Sequence, residues 1–181
     1  MRTLGFAWGI VGVLLLLSFA IFRLAPIAFE LGDLQLSAVH WVSLAFSIVY
    51  MAYAEGYKGF HCGFSPRVIQ RANYLRENPR WHHVLLAPAF CMGYIYATRR
   101  RQILSIGLTL VVMGFVVVAR QLPQPWRGIL DAGVVTGLSL GIMSILYFLL
   151  NSLRTPGFIT VSPEVPLPMA IGTDAAVQPD A

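Results

Sequence analysis

The stretch that decides the fold is QILSIGLTLVVMGFVVVA, residues 102–119, which contains no charged residue. About 20 consecutive apolar residues cross the hydrocarbon core of a bilayer when they form an α-helix. Arginines lie on both sides of the stretch, at residues 99–101 and at Arg120. The sequence therefore predicts a transmembrane helix that begins and ends at these charges.

Three further runs have the same character, and they lie on both sides of the first one along the chain. They cover residues 4–22, 36–54 and about 130–151. The last run contains Asp131 near its start, and Arg127, four residues before Asp131, can pair with it. Only 12% of the chain is charged and 57% is apolar, whereas a soluble domain carries about 25% charged residues. The prediction is an all-α integral membrane protein, a single transmembrane helical domain over residues 1–153. The alternative for residues 1–20 is a cleaved signal peptide.

The number of spans depends on residues 81–98, which carry no formal charge but are clearly apolar only over 84–97. That length fits a re-entrant or interfacial segment at about 83–98 better than a span. With four spans, ten of the 13 Lys and Arg residues face the cytoplasm, against eight with five spans. The positive-inside rule thus favours four transmembrane helices in a bacterial inner membrane, with both termini cytoplasmic. Five spans remain the alternative.

A short helix is predicted over residues 65–78. Ser65-Pro66 is typical of a helix start and Asn78-Pro79 of a helix end. Its arginines, Arg67, Arg71 and Arg76, are assigned to a polar side, and its apolar side to the membrane surface. They are candidates for contact with anionic lipids or, more specifically, with a headgroup or polyprenyl phosphate, because Arg binds phosphate in bidentate fashion.

The most specific motif is a double G-x-x-x-G in the last span, formed by Gly133, Gly137 and Gly141. A spacing of four places the three on one helix face, where a neighbouring backbone can approach closely. We expect this face to pack within the chain. The alternatives are self-association through the last span or contact with a membrane-protein partner.

Aromatic residues recur along the second span at spacings of four and three, at Phe46, Tyr50, Tyr53, Tyr57 and Phe60. Such a stripe is usually packing, and its functional interpretation is a wall for a flat apolar ligand such as a quinone or isoprenoid. Five residues on the cytoplasmic side could ligate a metal, but their spacing matches no standard site; they are His61, Cys62, His82, His83 and Cys91. No cofactor is predicted.

Residues 154–181 are rich in proline and show no apolar period, which predicts a disordered tail. No basic face with interleaved aromatics lies outside the apolar runs, so nucleic-acid binding is not expected. Catalytic and nucleotide-binding motifs such as G-x-S-x-G, H-E-x-x-H and the Walker loop are lacking from the sequence. A non-catalytic accessory or assembly subunit of a membrane complex is the leading hypothesis. The alternatives are a membrane enzyme acting on a lipid or isoprenoid through Arg67, Arg71, His82 or His83, and a small transporter or a haem- or quinone-binding subunit.

The topology can be tested with reporters fused after residue 181. We expect a fusion to green fluorescent protein to fluoresce and a fusion to alkaline phosphatase to be inactive, because both termini are predicted to be cytoplasmic. An active phosphatase together with a dark fluorescent fusion would instead favour five spans.

Overall fold

All regular structure is helical in the computed structural model, which describes residues 2–78, 81–155, 158–159 and 161–165. The elements in chain order are α1 (Arg2–Phe29), a 3-10 turn (Glu30–Asp33), α2 (Ala38–Met51), a π-helical segment (Ala52–Phe64), α3 (Ser65–Glu77), α4 (Trp81–Leu85), α5 (Ala87–Cys91), α6 (Arg99–Ala119) and α7 (Trp126–Arg154).

In the described part of the chain, three helical stretches are long and apolar enough to cross a membrane, judged by length and composition. They are Thr3–Asp33, Arg99–Ala119 and Trp126–Arg154, of 31, 21 and 29 residues. The expected helical membrane class is therefore confirmed, and three of the four predicted spans lie on these stretches. The first stretch is longer than the predicted 4–22 span, because α1 continues through Pro26 to Phe29. Proline removes only one backbone hydrogen bond, and the apolar residues around it remain helical.

The second apolar run is part of a longer helix. α2 has 14 residues, but the backbone stays helical through the π segment and into α3. The helix predicted over residues 65–78 corresponds to α3, but the expectation that Ser65 caps its start is wrong: Ser65 has helical angles, φ −59° and ψ −49°, and the backbone before it is already helical. One continuous rod of α2, π segment and α3 thus runs from Ala38 to Glu77.

Three long elements form the bundle: α1, the rod and α7. The rod and α7 run parallel, because Ser47 bonds to the carbonyl of Ile129 at 3.0 Å near their starts, and Asn73 bonds to Ser152 at 3.1 Å near their ends. α1 runs the opposite way: at one end Leu31 faces Gly128, and at the other Ile10 shares the core with Ile145.

The double G-x-x-x-G face of α7 contacts the rod. A Cβ on Gly133 would lie 3.0 Å from the Ser47 carbonyl, and one on Gly137 would lie 3.1 Å from Glu55 Cβ. A Cβ on Gly141 would lie 2.7 Å from the Phe60 ring. All three glycines are buried, so this face packs within the chain, and the same surface is not open for self-association.

The segment predicted to be re-entrant folds onto α1. α5 lies against Gly9 and Gly12, where an added Cβ would meet the Cys91 sulfur at 2.7 Å and would overlap the Pro88 ring. The chain then turns through Gly93, which has a positive φ of 85°, before α6 begins. The start of the segment follows α3 in the chain, and Ile95 and Tyr96 near its end accept hydrogen bonds from Arg71 of α3, so both ends of the segment lie beside α3.

α3 is a core helix. The side chains of its apolar face are fully buried against α1, α5 and α7; they are Val68, Ile69, Ala72 and Leu75. The membrane-surface interpretation of residues 65–78 requires that face to contact lipid, and the structure uses it for protein contacts instead. The rod carries this face into the bundle end where α1 begins and α7 ends.

Part of the sequence predicted as a disordered tail contacts the helices. Ile159 is buried in the core, Glu164 forms an ion pair with Arg101 at 3.6 Å, and the Glu164 carbonyl accepts a hydrogen bond from the Thr98 N–H at 3.0 Å. The prediction of disorder from residue 154 therefore begins too early. Residues 166–181 lie outside the described part of the chain.

α6 is attached to the protein near its first turns. Gln102 donates to the Tyr94 carbonyl at 3.1 Å, Ser105 donates to the Met92 carbonyl at 3.1 Å, and Thr109 bonds to the Tyr94 hydroxyl. Farther along, most apolar side chains of α6 are exposed, while Val116 is half-buried and Ala119 is buried. Nothing among the described residues comes within 4 Å of a Cβ placed on Gly107 or Gly114.

These glycine environments give a matched test of packing. Gly137→Leu should lower the free energy of unfolding by about 2 kcal/mol or more, because the new side chain overlaps Glu55. Gly59→Leu makes the same substitution at an exposed position of the π segment, where a Cβ would lie 3.4 Å from the Ala54 carbonyl, and it should unfold close to wild type. The measurement is denaturant unfolding in detergent micelles. Equal stability of the two variants would show that the Gly137 face does not pack on the rod.

Candidate functional site

The π segment is the least usual part of the backbone. Its i→i+5 bonding is rare and short in most proteins, and π-helical turns occur frequently at functional sites. Here the pattern extends over 13 residues, Ala52–Phe64. At its centre Gly56 contacts α7, where a Cβ would lie 2.8 Å from Leu140 Cδ1. Close approach of the two helices depends on this glycine.

The π geometry changes which aromatic rings line up. Residues four apart nearly superimpose in this wider helix, so Tyr53 stacks on Tyr57 at 6.2 Å and Tyr57 stacks on His61 at 5.8 Å between ring centroids. Phe60 turns inward, against Gly141, and leaves the stripe. We name Tyr53, Tyr57 and His61 the aromatic ladder; the remaining residues of the predicted wall, Phe46 and Tyr50, stack on each other one turn earlier at 5.8 Å.

An open groove of about 290 Å³ lies between the π segment and α7. Its lining includes Gly56, Tyr57, His61, Met143, Ser144 and Tyr147, and no charged residue lines it. Within the groove His61 Nδ1 and Ser144 Oγ form a hydrogen bond of 3.1 Å. The His61 ring also contacts Tyr147 at 5.7 Å and Phe148 at 5.1 Å between ring centroids. We name this surface the His61 groove.

The other residues considered as metal ligands are dispersed. Cys62 is exposed and Cys91 is buried against α1. Burial raises the pKa of the Cys91 thiol to about 12, which keeps it protonated. His83 is buried between the rings of Phe90 and Tyr96. In the described residues no three His, Cys, Asp or Glu side chains are arranged to hold a metal ion.

Arg71 has a different environment from the one the sequence suggested. It is 2% exposed, and its guanidinium donates to backbone carbonyls alone. Nε bonds to Phe90 at 2.6 Å and Nη1 to Pro163 at 2.7 Å, while Nη2 bonds to Ile95 at 2.8 Å and to Tyr96 at 3.1 Å. The guanidinium also lies 4.5 Å from the Phe90 ring centroid. We name this group the Arg71 cluster.

The cluster commits Arg71 to the protein interior, which corrects its assignment as a headgroup ligand. Burial lowers the pKa of Arg71 to about 10, so the side chain is still charged at neutral pH. Its donors hold the turn after α5 and the segment at Pro163 against α3. Arg76 is exposed and Arg67 is half-buried, and these two remain open to an anionic headgroup.

Several residues of these sites were not singled out by the sequence. Ser144 lies in the last apolar run, and a single serine in such a run belongs to no motif that would mark it as a site residue. Gly5, Gly9 and Gly12 of α1 face α3, α4 and α5, and their spacing of four and three was a usable signal of a packed face. Gly56 could be found only from its contact with Leu140.

No protein-family model, curated protein or solved structure matches this chain.

Proposed function

We propose that this chain is a non-catalytic accessory or assembly subunit of a bacterial inner-membrane complex. The observation that carries the proposal is the exposed face of α6. Among the described residues, the hydrogen bonds and the ion pair between α6 side chains and the rest of the chain are made by its first three turns. Most of its apolar residues beyond Thr109 are exposed, while Val116 is half-buried and Ala119 is buried. A helix of this kind gains van der Waals contacts if it packs on a helix of another protein.

The proposal includes four spans with both termini in the cytoplasm. The rod supplies the second span, because the π segment lengthens α2 beyond its 14 residues. The segment of α4 and α5 starts and finishes at one end of the bundle, as a re-entrant segment would. This path supports the distribution of basic residues that favours four spans.

Gly107 and Gly114 indicate where on α6 a partner would bind. Seven residues span nearly two full turns, so the two glycines share a face. Glycine in an exposed helix interior costs about 1 kcal/mol relative to alanine. Small residues favour close contact between membrane helices, and a partner helix on this face would use both glycines. We therefore place the partner on α6 rather than on the occupied glycine face of α7.

Anionic lipids are proposed as a second contact, through Arg67 and Arg76. Both lie on α3 at the end of the bundle proposed to face the cytoplasm. A basic residue near an anionic leaflet gains about 1 kcal/mol. This contact orients the protein in the membrane and does not require a specific headgroup.

The alternative function is an enzyme acting on a lipid or isoprenoid at the cytoplasmic interface. It was based on Arg67, Arg71, His82 and His83. Arg71 is held by backbone carbonyls and His83 is buried among aromatic rings, so the surface arrangement that this alternative needs has little support. A small transporter has less support, because no observation on this structure favours one.

The partner face can be tested with the intact chain in mild detergent. Light scattering should give a protein mass above the 20.0 kDa of one chain. The double variant Gly107→Leu, Gly114→Leu should return to the mass of a single chain, because leucine prevents the close approach of the partner helix. Val112→Leu enlarges a side chain on the opposite side of α6 and should leave the complex intact.

Two results would contradict the proposal. One is a wild-type mass equal to that of a single chain when the protein is extracted from its native membrane. The other is a complex that withstands the double glycine variant, which would place the partner elsewhere.

A further inference from the structure

The His61 groove has the properties of a ligand site, and it does not depend on the partner face, because α6 contributes no lining residue. We propose that the groove binds the ring of an isoprenoid quinone. Tyr57 and Tyr147 provide aromatic walls, His61 and Ser144 provide polar atoms, and the groove is open at its side.

The depth of the groove suits a lipid-soluble ligand. Trp126 begins α7 and is an expected anchor at headgroup level. At 1.5 Å per residue, Ser144 lies about 27 Å farther along the helix. Because the predicted span covers residues 130–151, Ser144 lies in the half of the hydrocarbon core where α7 ends, about 10 Å from that edge. A quinone ring resides close to such an edge while its isoprenoid tail lies among the acyl chains.

The lining excludes the more abundant membrane ligands. Phospholipids and polyprenyl phosphates carry anionic groups, and an anion in the groove would have no arginine or lysine among the lining residues. Removing a phosphate from water without a cationic partner is costly. A quinone ring is uncharged, flat and polar only at its oxygens, which matches walls made of rings with few polar atoms.

The hydrogen bond between His61 and Ser144 leaves donor capacity for a carbonyl oxygen. If the ring N–H at Nδ1 donates to Ser144, the hydroxyl proton is free to point into the groove. If Ser144 donates to Nδ1, the histidine proton is on Nε2, for which the described residues supply no hydrogen-bond acceptor. In either tautomer one proton remains for a ligand oxygen. The two faces of the Tyr57 ring are covered by Tyr53 and His61, so its edge, together with the ring of Tyr147, forms the aromatic surface that the quinone would contact.

The π segment explains why these groups meet. It carries the three stacked rings of the ladder, Tyr53, Tyr57 and His61. Gly56 brings the segment close to α7, so that His61 reaches Ser144. The unusual backbone therefore serves the site as well as the packing.

The test uses the full chain in nanodiscs of phosphatidylcholine and phosphatidylglycerol, with a photoreactive azidoquinone bearing a decyl tail. After irradiation and digestion, mass spectrometry should locate the label on the peptides that contain residues 52–64 and 140–147. Labelling should saturate, and an excess of decylubiquinone should displace it. An equal excess of decanol, which has the chain but no ring, should not displace it.

Variants distinguish the contribution of the hydrogen-bonded pair, His61 and Ser144, from that of the shape of the groove. Ser144→Ala and His61→Phe should each weaken saturable labelling by about fivefold, since each removes one hydrogen-bonding group. Met143→Phe should reduce it by filling the groove from an exposed position, without a change to the pair. The matched control is Ser139→Ala, which removes a hydroxyl bonded to the Val135 carbonyl of the same helix and should label like wild type.

Three outcomes would overturn the proposal. The first is label spread over all exposed aromatic residues without saturation. The second is equal displacement by decanol, which would make the groove an acyl-chain contact. The third is wild-type labelling in both Ser144→Ala and Met143→Phe. Met143→Phe keeps the test decisive if His61→Phe fails to fold, because Met143 is 64% exposed.

Discussion

One end of the bundle, the end proposed to face the cytoplasm, depends on the buried charge of Arg71. A guanidinium removed from water is costly unless every donor finds an acceptor. Here the acceptors are the Phe90 carbonyl in the last turn of α5 and the carbonyls of Ile95, Tyr96 and Pro163 in non-helical backbone. The guanidinium and the carbonyls therefore satisfy each other's hydrogen-bonding capacity. The Arg71 side chain thereby fixes the turn after α5 and the segment at Pro163 against α3. Without that group the turn would expose unsatisfied carbonyls to an apolar environment.

A second constraint is the distance between α7 and the rod. Glycines on both helices, Gly133, Gly137 and Gly141 on one and Gly56 on the other, allow close contact along most of their length. The contact is made by large groups of the opposite helix, such as Phe60 and Leu140. Since the π segment carries Gly56, Phe60 and His61, packing and groove geometry cannot be changed independently. Any substitution that separates the two helices should also disturb the hydrogen bond between His61 and Ser144.

Hydropathy was sufficient for the membrane class, because long uncharged runs leave few other solutions for a chain this apolar. The pairing of Arg127 with Asp131 was also predictable, and the structure has the two side chains 3.8 Å apart. Arg71 shows what a composition argument omits. It lies three residues after Val68 and four before Leu75, hence on the apolar side of α3. Assigning every arginine to the polar side overlooked that position, which marked a buried charge.

The π segment could not be predicted from local sequence. Its bonding pattern has no residue signature comparable to an N-cap or a turn, and the contact between Gly56 and Leu140 joins distant parts of the chain. The groove depends on that contact, so Tyr57 could be noticed in a stripe while its pairing with His61 could not. The inward turn of Phe60 has the same origin. The isolation of α6 is likewise a property of the tertiary structure, because its sequence resembles that of any span.

The reactivity of Cys91 tests most directly whether the Arg71 cluster holds this end of the protein together. The thiol of Cys91 is buried against Gly9, and Cys62 is an exposed internal reference in the same chain. In wild type, N-ethylmaleimide should modify Cys62 readily and Cys91 slowly, because a buried, protonated thiol is a poor nucleophile. Arg71→Gln should release the turn after α5 and raise the rate at Cys91 by at least about tenfold relative to Cys62. Arg76→Gln, which removes an exposed arginine from the same helix, should leave both rates unchanged. A Cys91 rate in Arg71→Gln equal to that of wild type would contradict the account.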